Sequence, residues 1–134
     1  MGIKFIDISK LKAHEKVSKM RVKKLLKQIV KEKILKRPII VDSDNYIILD
    51  GHHRTEVFKS LNFKKIPALL VDYKRIKVVA RRKKYAKLDI RNLVISMVKK
   101  NKLLPYKTTK HLIPFKNLLN VSFDLNYETN KKKG

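Results

Sequence analysis

Residues 37–73 read RPIIVDSDNYIILDGHHRTEVFKSLNFKKIPALLVDY, and this stretch decides the fold. Two short apolar runs, 39–41 and 46–49, flank the four turn-forming residues Asp-Ser-Asp-Asn, which is typical of a β-hairpin. Apolar residues in 52–61 have helical spacing, and 66–71 is again apolar, with Pro67 near its start. The stretch therefore predicts a hairpin, a tight turn, a helix and a further strand.

The sequence on either side predicts one more strand and two more helices. Residues 3–8 alternate loosely between apolar and polar side chains and are β-prone, which predicts a strand. Residues 73–87 are predicted to form a basic link. Ser18 has the side chain of an N-cap, and the apolar residues after it, like those of 89–100, recur at helical spacing. We expect an α+β fold, a small mixed sheet packed with amphipathic helices.

The length of 134 residues suits one domain. We expect a single domain over 1–134, with a core at about 3–73, a helix and an attached segment at 88–115, and a basic tail at 128–134. Four aromatic residues are expected in the core: Tyr46, Phe58, Phe63 and Phe115.

Composition excludes several classes of protein. The chain has no cysteine, so disulfides, cysteine-based zinc sites and thiol nucleophiles are impossible. Gly51 is the one glycine away from the termini, which excludes a Walker A loop and a GxGxxG fingerprint. The sequence shows no apolar run long enough for a membrane span and no secretory h-region, so we expect a cytoplasmic protein without membrane association.

The charge is strongly basic, with 35 Lys plus Arg against 11 Asp plus Glu and a net charge of +24. Such a field attracts nucleic acids, nucleotides and phosphometabolites. Lysines outnumber arginines, whereas base-edge readers favour arginine, so nonspecific nucleic-acid binding is the most that the charge predicts.

The turn DGHHR at 50–54 is the strongest candidate for a site. Gly51 tolerates positive φ and lets an anion approach the backbone, and the first N–H groups of a helix attract phosphate. Arg54 adds a charged fork, and Asp50 could hold Mg²⁺. In the alternative interpretation these residues form a plain turn with a polar helix start.

A zinc site is a further alternative for the histidines. His52 and His53 could join His14 and His111, but adjacent residues at a helix start do not face the same way.

Three segments carry a resemblance to a known family. FIDISKLKAHE at 5–15 and the stretch 37–73 resemble the N-terminal domain of ParB-type proteins and sulfiredoxins, although sulfiredoxin chemistry needs a cysteine that is missing here. DGHHR, the pair His14-Glu15, and LLPYKTTKHLIPF at 103–115 look like the archaeal ADP-dependent free L-serine kinases, of which this chain would be a compact version.

The resemblance implies a role for each segment. Glu15 corresponds to the catalytic glutamate, and Gly51, His52, His53 and Arg54 would bind the nucleotide phosphates, with Mg²⁺ near Asp50. ADP or ATP would be the phosphoryl donor and free L-serine the acceptor. The segment of Lys107, Thr108, Thr109, Lys110 and His111 would bind the substrate.

Two features depart from that family, and alternatives exist. The family has arginine where this chain has Lys110, and its insertion is reduced here to about 74–102. Without the resemblance, Glu15 would be interpreted as an exposed ion-pairing residue and His111 as a structural histidine. The competing function is a ParB-like, nucleotide-responsive DNA-binding or regulatory protein. A nuclease would need a carboxylate cluster that the sequence does not show. The sequence does not indicate an oligomeric state.

Overall fold

The computed structural model describes residues 2–113 and 121–125. Short 3-10 helices at Ile8–Lys10, Tyr73–Arg75 and Lys83–Tyr85 lie between the main elements. The α-helices and strands of the described part, in chain order, are β1 (Ile3–Asp7), α1 (Lys19–Glu32), β2 (Ile34–Leu35), β3 (Ile39–Asp42), β4 (Ile48–Asp50), α2 (His52–Ser60), β5 (Lys65–Val71), β6 (Lys77–Ala80), α3 (Ile90–Lys99), β7 (Thr109–Leu112) and β8 (Phe123–Asp124).

The main sheet has four strands in the order β1-β5-β3-β4. β3 and β5 are parallel, and the other two pairs are antiparallel, so the sheet is mixed and the fold is α+β, as predicted. Pro67 is the third residue of β5, and the parallel ladder begins just after it, at the pair Ile39–Ala68. The missing N–H of proline therefore precedes that ladder.

Helices cover both faces of this sheet. Ile39 and Val41 of β3 pack in one core with buried residues of α1 and α2, whereas Ile40 between them packs in a second core with Ile90 and Val94 of α3. Because successive strand residues face opposite sides, a strand buried on both faces is apolar throughout. This explains the continuous apolar runs in the sequence.

The predicted aromatic core is largely confirmed. Phe58 and Phe63 are fully buried, and their rings meet edge to face at 4.8 Å. Tyr46 is half-buried against the same core, and Phe115 lies outside the described residues.

The predicted helix starts are also confirmed. The Ser18 hydroxyl accepts the Arg21 N–H at 3.3 Å to cap α1, and the Asp89 carboxylate accepts the Asn92 N–H at 3.2 Å to cap α3. No helix in the described residues is long and apolar enough to cross a membrane.

Two predictions about strands were wrong. The returning hairpin strand begins at Ile48 rather than at Tyr46, because Tyr46 adopts a left-handed conformation with φ of 56°. The basic link 73–87 contains strand β6, which pairs antiparallel with β7 about thirty residues later. A partner so distant along the chain leaves no local hairpin signal in the sequence.

Candidate active site

A cleft of about 290 Å³ opens where β4 ends and α2 begins. The end of β4 and the start of α2 form one wall of the cleft, and the segment after α3 and β7 form the other. The predicted catalytic residue Glu15 lies between the two walls. Nine predicted site residues line this cleft: Glu15, Asp50, Gly51, His52, His53, Lys107, Thr109, Lys110 and His111. The structure thus brings together residues that are up to 96 positions apart in the sequence.

The Glu15 carboxylate is held by the predicted substrate segment. Its Oε1 accepts the Thr109 N–H at 2.9 Å, the Thr109 hydroxyl at 3.0 Å and the Thr108 N–H at 3.2 Å. Within residues 2–113 and 121–125, Oε2 receives no hydrogen bond. Glu15 therefore has one oxygen fixed by three donors and one oxygen left for another group.

Backbone pairing holds the chain on both sides of Glu15. Leu104 donates to the His14 carbonyl at 2.7 Å and accepts the Lys16 N–H at 2.8 Å, which forms a short parallel bridge. Thr108 itself is buried and does not line the cleft. The threonines and Leu104 thus fix the position of Glu15.

The histidines at the start of α2 are engaged by backbone donors. His52 Nε2 accepts the His14 N–H at 3.2 Å, and His53 Nε2 accepts the Ser18 N–H at 3.0 Å. The two rings thus bond to positions four residues apart, as expected for adjacent helix-start residues that face different ways. In the described part of the chain, no group of three or more His, Asp or Glu side chains is arranged to hold a metal ion.

Two further histidines lie deep in the cleft. His14 Nε2 lies 3.2 Å from the Thr109 hydroxyl, and His111 Nε2 lies 2.8 Å from the Tyr73 hydroxyl. Burial lowers the pKa of His14 to about 4 and that of His111 to about 3. Both rings are therefore neutral at pH 7, so they add polar contacts but no positive charge to the cleft.

Gly51 is the N-cap of α2 and has a φ of 118°, so the predicted positive φ is confirmed. Packing gives a second reason for glycine here, beside the predicted approach of an anion, which stays a prediction. A Cβ here would lie 2.4 Å from Ile39 Cγ2 and 2.7 Å from Ile39 Cβ. Close packing of α2 on β3 therefore requires glycine at this position.

The Arg54 guanidinium does not line the main cleft. Its Nη1 donates to the carbonyls of Arg37 and Pro38, both at 2.9 Å, and its Nη2 lies 3.6 Å from the Asp50 carboxylate. Burial lowers the pKa of Arg54, and Asp50 opposes that shift. Arg54 thus ties α2 to the loop before β3, a structural role that the prediction of a phosphate fork did not include.

Replacing Arg54 with lysine should lower the free energy of unfolding by about 1–3 kcal/mol, because one ammonium group cannot serve two carbonyls and a carboxylate in this fork geometry. Chemical denaturation measures the change. Arg75, whose side chain is 87% exposed, is the matched control, and Arg75→Lys should leave stability unchanged. Equal effects of the two substitutions would contradict the structural role of Arg54.

A second cleft of about 390 Å³ adjoins the first and shares Arg21, Asp50, Gly51 and His53 with it. Lys24, Leu25, Gln28 and Arg54 complete its lining. Arg21 Nη1 donates to the Tyr106 hydroxyl at 3.0 Å, which holds the guanidinium at the junction of the two clefts.

Three residues that were not predicted from the sequence also line the main cleft: Arg21, Arg81 and Tyr106. Arg21 and Arg81 are two cations among 35, so composition did not separate them from solvated surface charges. The spacing of Arg21 three residues after the N-cap Ser18 was the available signal, since it places the side chain in the first turn of α1, near Gly51.

The Mg²⁺ prediction can be tested against the donors present. Asp50 lines both clefts, and Mg²⁺ on a nucleotide takes one or two protein carboxylates together with phosphate oxygens and waters. Asp50 supplies a carboxylate that suits such an ion, although the same carboxylate lies 3.6 Å from Arg54 Nη2, so the Mg²⁺ site stays a prediction.

Comparisons with known proteins show which proteins the chain is similar to. The sequence profile of the ParB N-terminal domain matches residues 1–84. An ATP-dependent L-serine kinase of Staphylothermus marinus is 42% identical over 72 residues, which are 51% of this chain and 29% of that protein. The ADP-dependent L-serine kinase SerK of Thermococcus kodakarensis is 29% identical over 73 residues, 52% of this chain and 30% of that protein.

Solved structures show the same fold over nearly the whole chain. A free serine kinase variant in complex with ADP superposes with a TM-score of 0.78 at 16% identity, over 97% of this chain and 94% of that one. A truncated SbnI from Staphylococcus aureus gives 0.77 at 13% identity, over 92% and 87%. Since the matched profile covers more than half of the residues, the chain belongs to the ParB N-terminal domain family.

Proposed function

We propose that the protein is a kinase that transfers a phosphoryl group from a nucleotide to the hydroxyl of free L-serine, giving O-phospho-L-serine. The observation that carries the proposal is the position of Glu15, whose carboxylate lines the same cleft as the N-terminus of α2. Phosphoryl transfer requires a phosphate-binding surface and a group that orients the acceptor hydroxyl. The sequence similarity to L-serine kinases supports this acceptor.

The nucleotide would occupy the second cleft, with its phosphates directed toward the N-terminus of α2. The first N–H groups of α2 have no side-chain cap, since the N-cap is Gly51, and they carry the positive end of the helix dipole. Arg21, which lines both clefts, and Lys24, which lines the second, add positive charge. The relatives include both ATP- and ADP-dependent kinases, so either nucleotide is proposed as donor.

Glu15 would act as the general base. Its Oε2 accepts the serine hydroxyl proton while the serine oxygen attacks the terminal phosphorus, and the bond from phosphorus to the nucleotide oxygen breaks. The three donors on Oε1 keep the carboxylate in place during this step. Mg²⁺, held by Asp50 and the phosphates, would neutralise charge on the transferred group.

Some residues of the segment 107–111 would position Glu15, and others would bind the serine carboxylate. Thr108 and Thr109 hold Glu15, and His111 is bonded to the Tyr73 hydroxyl. Lys107 and Lys110 remain as cations for the serine carboxylate. Arg81, which follows β6 directly and donates its N–H to the Thr108 carbonyl at 2.8 Å, lines the same cleft as Lys110.

Replacing Lys110 with alanine should raise the KM for serine about tenfold, because an exposed cation paired with the substrate carboxylate is removed. The nucleotide KM should stay unchanged. Lys27→Ala on α1 removes the same charge away from both clefts and is the matched control. If the two variants had the same KM for serine, Lys110 would not be part of the substrate site.

The kinase proposal is tested by incubating the protein with Mg²⁺, free L-serine and either ADP or ATP. Mass spectrometry should detect O-phospho-L-serine together with AMP or ADP as the matching product. Absence of phosphoserine with both donors, at concentrations where the nucleotide binds, would overturn the proposal.

The DNA-binding alternative gains less support from the structure. Between residues 74 and 113 the structure has one α-helix, α3, so this described part offers no helix-turn-helix pair. Sequence preference in DNA binding that persists near physiological ionic strength would favour the alternative, since nonspecific binding by a basic protein falls steeply with salt.

A further inference from the structure

The two imidazoles at the start of α2 bond to the segment that carries Glu15. His52 binds the N–H of His14, one residue before Glu15, and His53 binds the N–H of Ser18, three residues after it. The intervening Lys16 N–H goes to Leu104 on the opposite side. The stretch 14–18 is thus held between α2 and the segment after α3.

These bonds define the state of both rings. An imidazole nitrogen accepts an N–H when it carries no proton, so each ring is neutral with its proton on Nδ1. Burial is the main cause that lowers the pKa of both His52 and His53, with His14 and Arg21 respectively as the next causes. The His14 ring also packs edge-on against His52 at 4.5 Å. Neutral acceptors are therefore consistent with the surroundings.

Phosphate binding through Nε2 requires the opposite protonation of the ring. Phosphate oxygens accept hydrogen bonds, so a histidine that binds them through Nε2 must carry a proton on that atom. In this structure each Nε2 already accepts from the backbone. Phosphate at this corner would therefore be bound by groups other than these Nε2 atoms, such as the N–H groups of α2 and Arg21.

We infer that His52 and His53 are positioning residues, whose Nε2 atoms accept backbone N–H groups and so hold Glu15 at the reacting hydroxyl, and that these Nε2 atoms do not bind phosphate. This inference rests on the proposed function for its kinetic consequences. A displacement of a catalytic group by about 1 Å can cost on the order of 100-fold in rate. The loss of either anchor should therefore lower kcat more than it weakens nucleotide binding.

Paired substitutions at His52 test the inference in the full chain. Glutamine carries an acceptor oxygen at about the reach of Nε2, whereas leucine carries none. His52→Leu should lower kcat for phosphoserine formation about tenfold or more, with an unchanged nucleotide KM, and His52→Gln should recover most of the rate. A raised nucleotide KM in both variants, with no recovery of kcat by glutamine, would contradict the positioning role of His52.

A spectroscopic readout on the wild-type protein separates this inference from the kinase proposal. Long-range ¹H–¹⁵N correlation spectra report which ring nitrogen carries the proton. The inference predicts neutral rings protonated on Nδ1 for His52 and His53, whether or not phosphoserine forms. Rings protonated on Nε2, or doubly protonated at pH 7, would overturn it even if His52→Leu failed to fold.

Discussion

Glu15→Gln should reduce phosphoserine formation by about 10²- to 10⁴-fold, the usual contribution of a general base. Glutamine has nearly the same shape, and its amide oxygen can still accept from Thr108 and Thr109, so the fold and the cleft should persist. The dissociation constant of the nucleotide should stay close to that of the wild type. Initial rates and nucleotide titration by calorimetry measure the two quantities.

Glu32→Gln provides the control for Glu15. Glu32 lies in the last turn of α1 and pairs with Lys36 at the surface, at 3.6 Å. This substitution removes the same charge and should leave the rate unchanged. A Glu15→Gln protein that turned over at the wild-type rate would show that another group accepts the proton.

Gly51→Ala should lower the free energy of unfolding by about 2–5 kcal/mol, a large part of the stability of a small domain. Two effects add. A residue with a Cβ at this positive φ costs about 1–2 kcal/mol, and crowding against Ile39 costs about 1–3 kcal/mol more. The same crowding should displace α2 from β3 and weaken nucleotide binding. Urea denaturation measures the loss of stability.

Gly2→Ala is the control for this substitution, because nothing lies within 4 Å of a Cβ added there. Its stability should match the wild type. If Gly51→Ala were as stable as Gly2→Ala, the close contact between α2 and β3 would not be the reason for glycine at position 51.

Much of the fold could be predicted from local sequence. Ser18 and Asp89 each precede a helical pattern, and a side-chain cap is a local interaction that the sequence displays directly. The apolar runs at 39–41 and 66–71 indicated buried strands, because a short continuous apolar run is also a local feature of the sequence. The pairing of β6 with β7 could not be predicted, because it joins segments about thirty residues apart.

The candidate site was predicted in its residues but not in their contacts. Resemblance to the serine kinases placed Glu15 and the segment 107–111 in one function, and the structure brings them within hydrogen-bond distance. Arg54 and His52 bind backbone groups that lie 16 to 38 positions away in the sequence. The residue types alone do not show which backbone groups these are. Both residue types also suit phosphate, which is the role that the helix start and the family resemblance predicted for them.

The most direct test of the central claim is a crystal structure of the protein with AMP and O-phospho-L-serine. The account predicts the phosphoserine ester oxygen within hydrogen-bond distance of Glu15 Oε2 and the phosphate at the N-terminus of α2. AMP should lie in the adjoining cleft beside Arg21 and Gln28. Phosphoserine bound away from Glu15, or AMP bound outside both clefts, would contradict the account.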